Sequence, residues 1–338
     1  MGGISRVIKI WKTEKILKEH NIKYISTVSN STYFQKLIDL LRSLIKFILF
    51  SSKNCKGIYI HTASRRSLYR KLIFIIISSF FSKKIILHIH PSYFYTFIMN
   101  FKGLKKRFIL YFLNKIDCYV VLTHEMKENI IKLFPQKKVF VIRNPINFEL
   151  MENKYNIARD NNRLLFLGWY LKIKGVFDLI DAVQILTKEG CDVKLDLYGT
   201  YNINRLKNYV KQKEILDRVN VNGWIGDKEK LKALYNSTAL ILPSYSEGIP
   251  NVIIEAMATK TPIIATAVGG LKEILIDRYN ALIVKPKNPN DLSKKILEAL
   301  KNKQLREKIS CNAYNFAKTQ FDIKKIEKEI KQIIYNEF

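Results

Sequence analysis

The sequence predicts an α/β protein of two domains, each built around a doubly wound parallel β-sheet. Short apolar segments of strand length alternate with longer segments of helical periodicity, the order expected when helices cover both faces of a parallel sheet. The chain has 338 residues, whereas a single hydrophobic core stops growing at roughly 250–300 residues. An Asn144-Pro145 turn follows an apolar strand and marks the boundary. The expected parts are two domains at residues 1–147 and 148–320, and a C-terminal helix at residues 321–338.

The C-terminal half of the sequence shows this alternation most clearly. In the helix expected at residues 176–188, apolar residues recur every three or four positions, at Val176, Ile180, Val183 and Leu186. The strands expected in this half lie at residues 163–169, 193–198, 219–225, 239–243, 263–266 and 281–284. The other helices expected here lie at residues 206–215, 228–236, 251–259, 290–302, 304–319 and 322–336.

The N-terminal half follows the same pattern. Strands are expected at residues 23–28, 57–60, 84–89 and 118–122, with helices between them that include residues 34–50. Gly2 and Gly3 precede a helix-like run at residues 4–20. A glycine pair in this position is typical of the turn after a strand, so the pattern indicates that the first strand of this sheet is missing from the chain.

Positive charge is concentrated in the N-terminal half. Residues 1–150 contain 27 basic and 7 acidic side chains, and the remaining residues contain 31 and 22. This excess favours an anionic partner, such as a phosphate-bearing substrate or an acidic lipid surface, although a lysine-rich solvated surface would look the same. The helix at residues 34–50 carries Arg42 and Lys46 among apolar residues, which fits a membrane surface or ordinary packing. No nucleic-acid-binding motif accompanies the charge, so nucleic acid is not an expected partner.

Cysteine usage and hydropathy indicate a cytoplasmic protein. The four cysteines lie far apart and form no C-x-x-C pair, which is typical of buried thiols in a reducing compartment. The longest largely apolar run, Leu72 to Phe81, is about half of the roughly 20 residues that a membrane-spanning helix needs. We expect a soluble protein, or one bound peripherally to the inner face of the cytoplasmic membrane.

The strongest functional signal begins at a buried strand, residues 239–243. The loop Ser244-Tyr-Ser-Glu-Gly-Ile follows, and a helix opens near Pro250. We expect the amides of Asn251, Val252 and Ile253 to point toward the loop. Together with the helix dipole, they would form a site for a diphosphate at the carboxyl end of the strand.

Two carboxylates accompany this anion site. Glu247 lies in the loop and Glu255 lies about a turn inside the helix. A carboxylate is repelled by phosphate but accepts hydrogen bonds from hydroxyl groups. The layout therefore fits a ligand in which a diphosphate is flanked by sugars.

From Glu247 to Ala258 the sequence matches every fixed position of E-G-x-P-x-x-x-x-E-A-M-A. This is the motif of glycosyltransferase family 4, which the chain resembles over essentially its whole length. Further matching segments are Phe166–Gly168, Lys174-Gly175, Thr261–Thr266, Gly269-Gly270 and Glu273. The resemblance implies the GT-B fold, in which two Rossmann-like domains face a cleft and the last helix crosses back onto the N-terminal domain.

The resemblance also implies an activity. Members are retaining enzymes that move a sugar from a nucleoside-diphosphate sugar, here to a glycan or lipid-linked acceptor of a cell-envelope polysaccharide such as lipopolysaccharide or capsule. The donor would lie in the C-terminal domain and the acceptor in the N-terminal domain. The diphosphate leaves and helps to deprotonate the acceptor hydroxyl, so that no protein nucleophile is required.

Site residues follow from the resemblance position by position. The expected catalytic residues are Glu247 against the transferred sugar, Lys174 against the departing diphosphate, and His90, which orients the donor sugar. Glu255 would bind the ribose hydroxyls. Further donor contacts are expected from Gly2, Gly3, Gly168, Lys172, Trp224, Ile225, Gly248, Ile249, Pro250, Asn251 and Val252. Acceptor contacts are expected from Ser64, Arg65, Ser67 and Arg70, which resemble an S-R-G-S-x-x-R-K segment of bacterial members.

No metal or cofactor is expected. His88 and His90 share one face of their strand, but the sequence offers no evident third ligand beside them. The chain also lacks D-x-D, G-x-G-x-x-G and Walker A motifs.

The chain departs from the family pattern at several positions. Trp169 stands where an arginine is usual, so Lys172 is expected to supply that positive charge. Pro91 replaces a glycine beside His90, and Lys260 and Arg278 replace glycines of turns. If these changes and the missing strand break the site, the chain is an inactive transferase. The other alternative is a basic protein that binds membrane or nucleic acid.

Overall fold

The computed structural model describes residues 3–13, 22–27, 33–51, 55–63 and 65–338. The chain divides into two compact units, residues 1–144 with 324–338 and residues 145–323. Each unit contains one sheet whose paired strands are all parallel. The division falls between Asn144 and Pro145, a position where the proline lacks a backbone donor.

The first unit has a four-stranded sheet. In the order in which they pair, its strands are β1 (Gly57–Thr62), β2 (Lys84–Ile89), β3 (Cys118–Val121) and β4 (Lys138–Val141). Its helices up to β4 are α1 (Gly3–Thr13), α2 (Tyr33–Ser51), α3 (Arg66–Phe80), α4 (Phe94–Met99), α5 (Gly103–Leu113) and α6 (His124–Leu133). Ile85, Leu87 and Val120 on the two central strands are at most 1% exposed, as expected for a parallel sheet that is covered on both faces.

The strand expected at residues 23–28 is wrong in its described part. Residues 22–27 form no strand, and Val28 lies outside the described residues. Side chains of the neighbouring helices bind this segment instead: Ser43 of α2 donates to the Ser26 carbonyl at 2.6 Å, and Lys71 of α3 donates to Thr27 Oγ1 at 2.9 Å. Of the helix-like run at residues 4–20, α1 covers the part up to Thr13, and the rest lies outside the described residues.

The second unit has a six-stranded sheet in the order β10-β9-β8-β5-β6-β7. Its strands are β5 (Arg163–Leu167), β6 (Lys194–Tyr198), β7 (Val219–Asn222), β8 (Ala239–Leu242), β9 (Ile263–Thr266) and β10 (Leu282–Val284). The helices are α7 (Val176–Lys188), α8 (Ile203–Gln212), α9 (Asp227–Asn236), α10 (Asn251–Ala258), α11 (Pro289–Lys301) and α12 (Lys303–Gln320). The last helix, α13 (Ile323–Glu337), belongs to the first unit from Lys324 onward.

The order of the strands in the sheet reverses between β5 and β8. From β5 the chain adds β6 and β7 on one side, and then returns to add β8, β9 and β10 on the other side. Ligands of open α/β sheets bind at such a switch point, outside the carboxyl ends of the two strands. The loops that follow Leu167 and Leu242 therefore lie where a ligand is expected.

Within the described residues, none of the helices is both long enough and apolar enough to cross a lipid bilayer.

Lys260 and Arg278, which replace glycines of the family pattern, adopt left-handed backbone conformations. Their φ angles are 53° and 58°. Lys260 comes two residues after α10, and its amide donates to the Met257 carbonyl at 3.1 Å. Because a side chain in this region costs about 1–2 kcal/mol per residue, each replacement leaves local strain in the backbone.

Exchanging Lys260 for glycine and for alanine measures this cost. Both substitutions remove the ammonium group that lies 4.9 Å from the Tyr314 ring centroid, so the difference between them isolates the backbone. We expect Lys260→Gly to have the higher free energy of unfolding in urea, by about 1 kcal/mol. At Lys207, an exposed position inside α8, the alanine variant should instead be more stable than the glycine variant by about 1 kcal/mol. Equal stability of the two Lys260 variants would contradict the strain.

Candidate active site

The loops after β5 and β8 contact each other directly at the switch point. The Tyr245 amide in the second loop donates to the Ile173 carbonyl in the first at 2.8 Å. Gly175, with a φ of 67°, brings its Cα so close to Pro243 that a Cβ would lie 2.0 Å from the proline carbonyl oxygen. Only glycine allows this approach, which explains why Lys174-Gly175 occurs as a pair.

Lys174 and Glu247 form the centre of the site. Lys174 Nζ lies 2.7 and 2.8 Å from the two carboxylate oxygens of Glu247, and Ser244 Oγ donates to one of them at 2.7 Å. The Glu247 residue is 7% exposed, so water screens this pair little. The structure thus joins two predicted catalytic residues that lie far apart in sequence.

The loop that carries Glu247 is fixed from the β9 side. Thr266 Oγ1 at the end of β9 donates to the Ser244 carbonyl at 2.5 Å, and the Gly270 amide donates to the Glu247 carbonyl at 3.1 Å. These contacts give a role to the Thr261–Thr266 and Gly269-Gly270 segments, which the sequence identified only by resemblance.

The N-terminus of α10 follows directly. Pro250, with a ψ of 132°, precedes the helix, and Asn251 is its first residue. The expectation for Ile253 is wrong, because its amide donates to the Pro250 carbonyl at 3.1 Å. Gly248, Pro250, Asn251 and Val252 are partly exposed and Ile249 is buried, so the start of the helix presents its positive dipole end to solvent.

Glu255 is buried one turn inside α10, and Lys230 of α9 contacts it. Its residue is 3% exposed, and Lys230 Nζ lies 2.9 Å from Oε2. Sequence reasoning missed Lys230, because nothing distinguishes it from Lys228 and Lys232 on the same helix. The ion pair compensates a carboxylate charge that would otherwise be costly to bury.

Aromatic and basic residues predicted near the donor lie on exposed parts of this edge. Trp169 stacks edge-on against Tyr201 with ring centroids 5.4 Å apart. Trp224 is 61% exposed, Ile225 is half-buried, and Lys172 is exposed on a short turn of helix. Gly168 begins the loop after β5, with its amide bonded to the Tyr198 carbonyl at 3.0 Å.

In the first unit, the residues predicted for the acceptor lie at the start of α3. Arg65 precedes the helix with a φ of 56° and is exposed. Ser67 Oγ accepts from the Ala63 amide at 3.1 Å, so this side chain supports the local backbone. Burial lowers the pKa of Arg70, whose Nε lacks a hydrogen-bond partner within the described residues. Ser64 and Gly2 lie outside the described residues, and Gly3 begins α1.

His90 lies directly after β2 and next to two other histidines. Its Nε2 is 3.0 Å from Nδ1 of His61, and one potential metal-binding nitrogen from each of His61, His88 and His90 lies within 4.8 Å of the others. Burial lowers the pKa of His90 to about 3 and the pKa values of the other two well below their usual range, so all three rings are neutral at pH 7. The structure thus places His61 beside the pair as a third histidine that the sequence did not make apparent.

Comparison with known proteins identifies the family. The model described as "Glycosyl transferases group 1" matches residues 147–316, half of the chain. The chain belongs to this family, which confirms the family that the Glu247–Ala258 motif predicts at the level of group 1.

Several relatives are named as glycosyltransferases. An uncharacterized glycosyltransferase of Methanocaldococcus jannaschii, MJ1178, is 35% identical over 207 residues, which cover 61% of this chain and 55% of that protein. The capsular polysaccharide biosynthesis glycosyltransferase CapM of Staphylococcus aureus is 26% identical over 255 residues, which cover 69% of this chain and 66% of CapM. The chain thus spans less than two thirds of either relative.

Solved structures confirm the predicted fold class, GT-B. Anabaena Alr3699/HepE, crystallised with UDP and glucose, has a TM-score of 0.76 at 18% identity and covers 99% of this chain and 96% of its own. Sucrose-phosphate synthase of Thermosynechococcus elongatus has a TM-score of 0.71 at 18% identity. The match covers 94% of this chain and 82% of the synthase chain. At these identities the likeness establishes the fold alone.

Replacing Lys230 by methionine tests the role of the buried ion pair. We expect Lys230→Met to lower the free energy of unfolding by about 3 kcal/mol, since Glu255 would keep a buried charge without its lysine. Adding Glu255→Gln should restore much of this loss, because the charge is then removed as well. Denaturant unfolding of the single and double variants gives the coupling energy.

The matched control is Lys211→Met, at an exposed lysine of α8, which should change stability by less than about 0.5 kcal/mol. A Lys230→Met protein as stable as this control would show that the pair contributes nothing.

Proposed function

We propose that the protein is a retaining glycosyltransferase that transfers a sugar from a nucleoside-diphosphate sugar to a hydroxyl group of a glycan or lipid-linked acceptor. The observation that carries this proposal is the Lys174–Glu247 pair beside the α10 N-terminus at the switch point. CapM is named for capsular polysaccharide biosynthesis, and the HepE crystal contains UDP and glucose. These names support cell-envelope polysaccharide synthesis with a nucleotide-sugar donor.

In this proposal the donor lies across the two loops. Its diphosphate faces residues 248–252, which comprise the end of the loop and the first two residues of α10, where the helix dipole attracts an anion. Glu247 accepts hydrogen bonds from the transferred sugar, and Glu255 accepts them from the ribose. Trp224 and Ile225 border the nucleobase.

Lys174 makes this arrangement electrostatically possible. A carboxylate and a diphosphate close together repel each other, and the Lys174 ammonium already contacts both oxygens of Glu247. Placed between the two anions, it attracts each of them and offsets their repulsion. Lys172, exposed on the same turn, is proposed as a second cation for the phosphates, in place of the arginine that Trp169 replaces.

The proposed reaction needs no group on the protein to attack the sugar. The bond between the anomeric carbon and the diphosphate oxygen breaks, and the acceptor oxygen bonds to the same face of that carbon. The acceptor proton passes to the departing diphosphate oxygen. Lys174 and the α10 dipole stabilise the charge that develops on this diphosphate. His90 is proposed to orient the donor sugar through Nδ1, because its Nε2 contacts His61.

An anionic membrane surface is the proposed source of a lipid-linked acceptor. α2 packs on α3 through Phe47 and Phe74, whose ring centroids are 4.9 Å apart. Its other side exposes apolar residues at helical spacing: Phe34, Leu37, Leu41, Ile45 and Ile48. α5, which also contacts α3, exposes Leu104, Phe108 and Tyr111 beside Lys105, Lys106 and Arg107.

These exposed residues bear on the two interpretations of the helix at residues 34–50. Packing against α3 uses one side of α2 only, and the opposite side combines apolar residues with Arg42 and Lys46. Apolar side chains with flanking basic residues suit insertion among anionic headgroups. The protein is therefore proposed to act at the cytoplasmic face of the membrane.

A nucleotide-sugar panel tests the transferase proposal. Wild-type protein, incubated with UDP- and GDP-sugars and lipid-linked acceptors, should release nucleoside diphosphate with at least one donor. Lys174→Ala should reduce the rate about 100–1000-fold, as expected when a group that stabilises transition-state charge is removed. Glu229→Ala, at an exposed acid of α9, should leave the rate unchanged.

Wild-type rates equal to those of Glu255→Ala with every donor, together with no detectable UDP or GDP binding by calorimetry, would overturn the proposal.

Vesicle sedimentation tests the membrane surface. The protein should bind vesicles of phosphatidylglycerol and phosphatidylcholine, and bind weakly to phosphatidylcholine alone. Leu41→Ser with Ile45→Ser should weaken binding by at least about tenfold, because two inserted side chains are lost. Leu216→Ser, at a leucine of the second unit that is 60% exposed, serves as the matched control. Equal binding of the double variant and wild type would exclude α2 as the contact.

A further inference from the structure

Three histidines converge on one face of the first unit's sheet. His61 and His88 are directly paired in the register of β1 and β2, and His90 follows two residues later, with its amide bonded to the Thr62 carbonyl at 3.2 Å. Residues two apart on a strand share a face, and directly paired residues of neighbouring strands share it too. The sheet therefore brings together three imidazoles from two segments that are distant in sequence.

The hydrogen bonds around His88 leave one nitrogen unused. Nδ1 of His88 lies 3.1 Å from the Tyr59 hydroxyl, whereas Nε2 has no hydrogen-bond partner within the described part of the chain. The residue is 1% exposed, so water cannot easily satisfy this nitrogen. A buried polar atom without a partner costs stability unless a ligand is bound to it.

The other two histidines are already near the spacing of metal ligands. His61 Nδ1 and His90 Nε2 lie 3.0 Å apart. Two nitrogens on a tetrahedral Zn²⁺ ion, each about 2.05 Å from the metal, are about 3.3 Å apart. One ligand nitrogen from each of the three rings lies within 4.8 Å of the other two. Small side-chain rotations would bring these three nitrogens around one metal ion.

The surroundings of the cluster suit a metal site. The Tyr59 hydroxyl can hold Nδ1 of His88 in the tautomer that leaves Nε2 free for a metal, the role that neighbours of metal-binding histidines usually have. Trp11 of α1 is 3% exposed and packs against His61 with ring centroids 4.9 Å apart. This ring shields one side of the cluster from water.

We propose that His61, His88 and His90 bind one transition-metal ion, and that Zn²⁺ is the ion this ligand set fits best. Three neutral imidazoles are borderline-soft nitrogen ligands, which suit Zn²⁺ and exclude Mg²⁺ and Ca²⁺. A water molecule would complete the tetrahedron. The metal would satisfy the unused Nε2 of His88 and replace the direct His61–His90 contact. The site shares His90 with the proposed sugar transfer, but it uses Nε2 of that residue and leaves Nδ1 available to the donor sugar.

Metal content is the direct test. Tag-free protein, stripped with a chelator and dialysed, is titrated with Zn²⁺ against a chromophoric zinc chelator, and with Co²⁺ by visible absorption. We expect one ion per chain, tetrahedral Co²⁺ bands, and a melting temperature that rises with Zn²⁺. Less than one ion per chain at saturating Zn²⁺ would overturn the proposal and leave a hydrogen-bonded histidine cluster.

Variants locate the site. Tyr59→Phe removes a hydrogen-bond partner of a ligand and should weaken Zn²⁺ binding about 10–100-fold. His88→Gln removes a ligand itself and should weaken binding by more than about 100-fold. His124→Gln, at an exposed histidine of α6, should bind as wild type does. If His88→Gln fails to fold, His90→Gln, at a half-buried position, supplies the same comparison. Wild-type affinity in either ligand variant would overturn the assignment.

Discussion

Glu247 and Glu255 are buried carboxylates in one short segment, and each is held by a lysine from another part of the second unit. Lys174 comes from the loop after β5 and Lys230 from α9. A buried carboxylate is costly to desolvate unless an opposite charge compensates it. The switch point supplies the partner of Glu247, because it places the β5 and β8 loops next to each other. The packing of α9 supplies the partner of Glu255. The close contact of Gly175 with Pro243 then sets how near Lys174 can come.

The second unit was largely predictable from sequence because its signals are local. Apolar runs such as residues 239–242 and the Glu247–Ala258 motif fix a strand, a loop and a helix without knowledge of the rest. The partners of these residues were not all predictable. Lys174 was identified by the Lys174-Gly175 segment, which matches the family pattern. Lys230 is one of several lysines on α9, and only the packing of that helix brings it to Glu255.

Errors in the first unit have similar causes. His61 lies at the end of a strand whose expected range stopped at residue 60, and only the register of β1 against β2 shows that it joins His88. Residues 22–27 have the composition of a strand but bind side chains of α2 and α3 instead of a sheet edge. In both cases the deciding contact joins residues remote in sequence, which periodicity cannot report.

The first unit is assembled from two parts of the chain. Ile326 and Ile330 of α13 are 1% exposed, and Lys138 of β4 binds Glu337 at 2.8 Å. Residues 324–338 belong to this unit, although the whole of residues 145–323 lies between them and β4. During synthesis on the ribosome, the second unit can therefore fold as soon as its contiguous residues have emerged. The first unit cannot bury the apolar surface that α13 covers until translation reaches this helix, and exposed surface of this kind makes a nascent chain prone to aggregation.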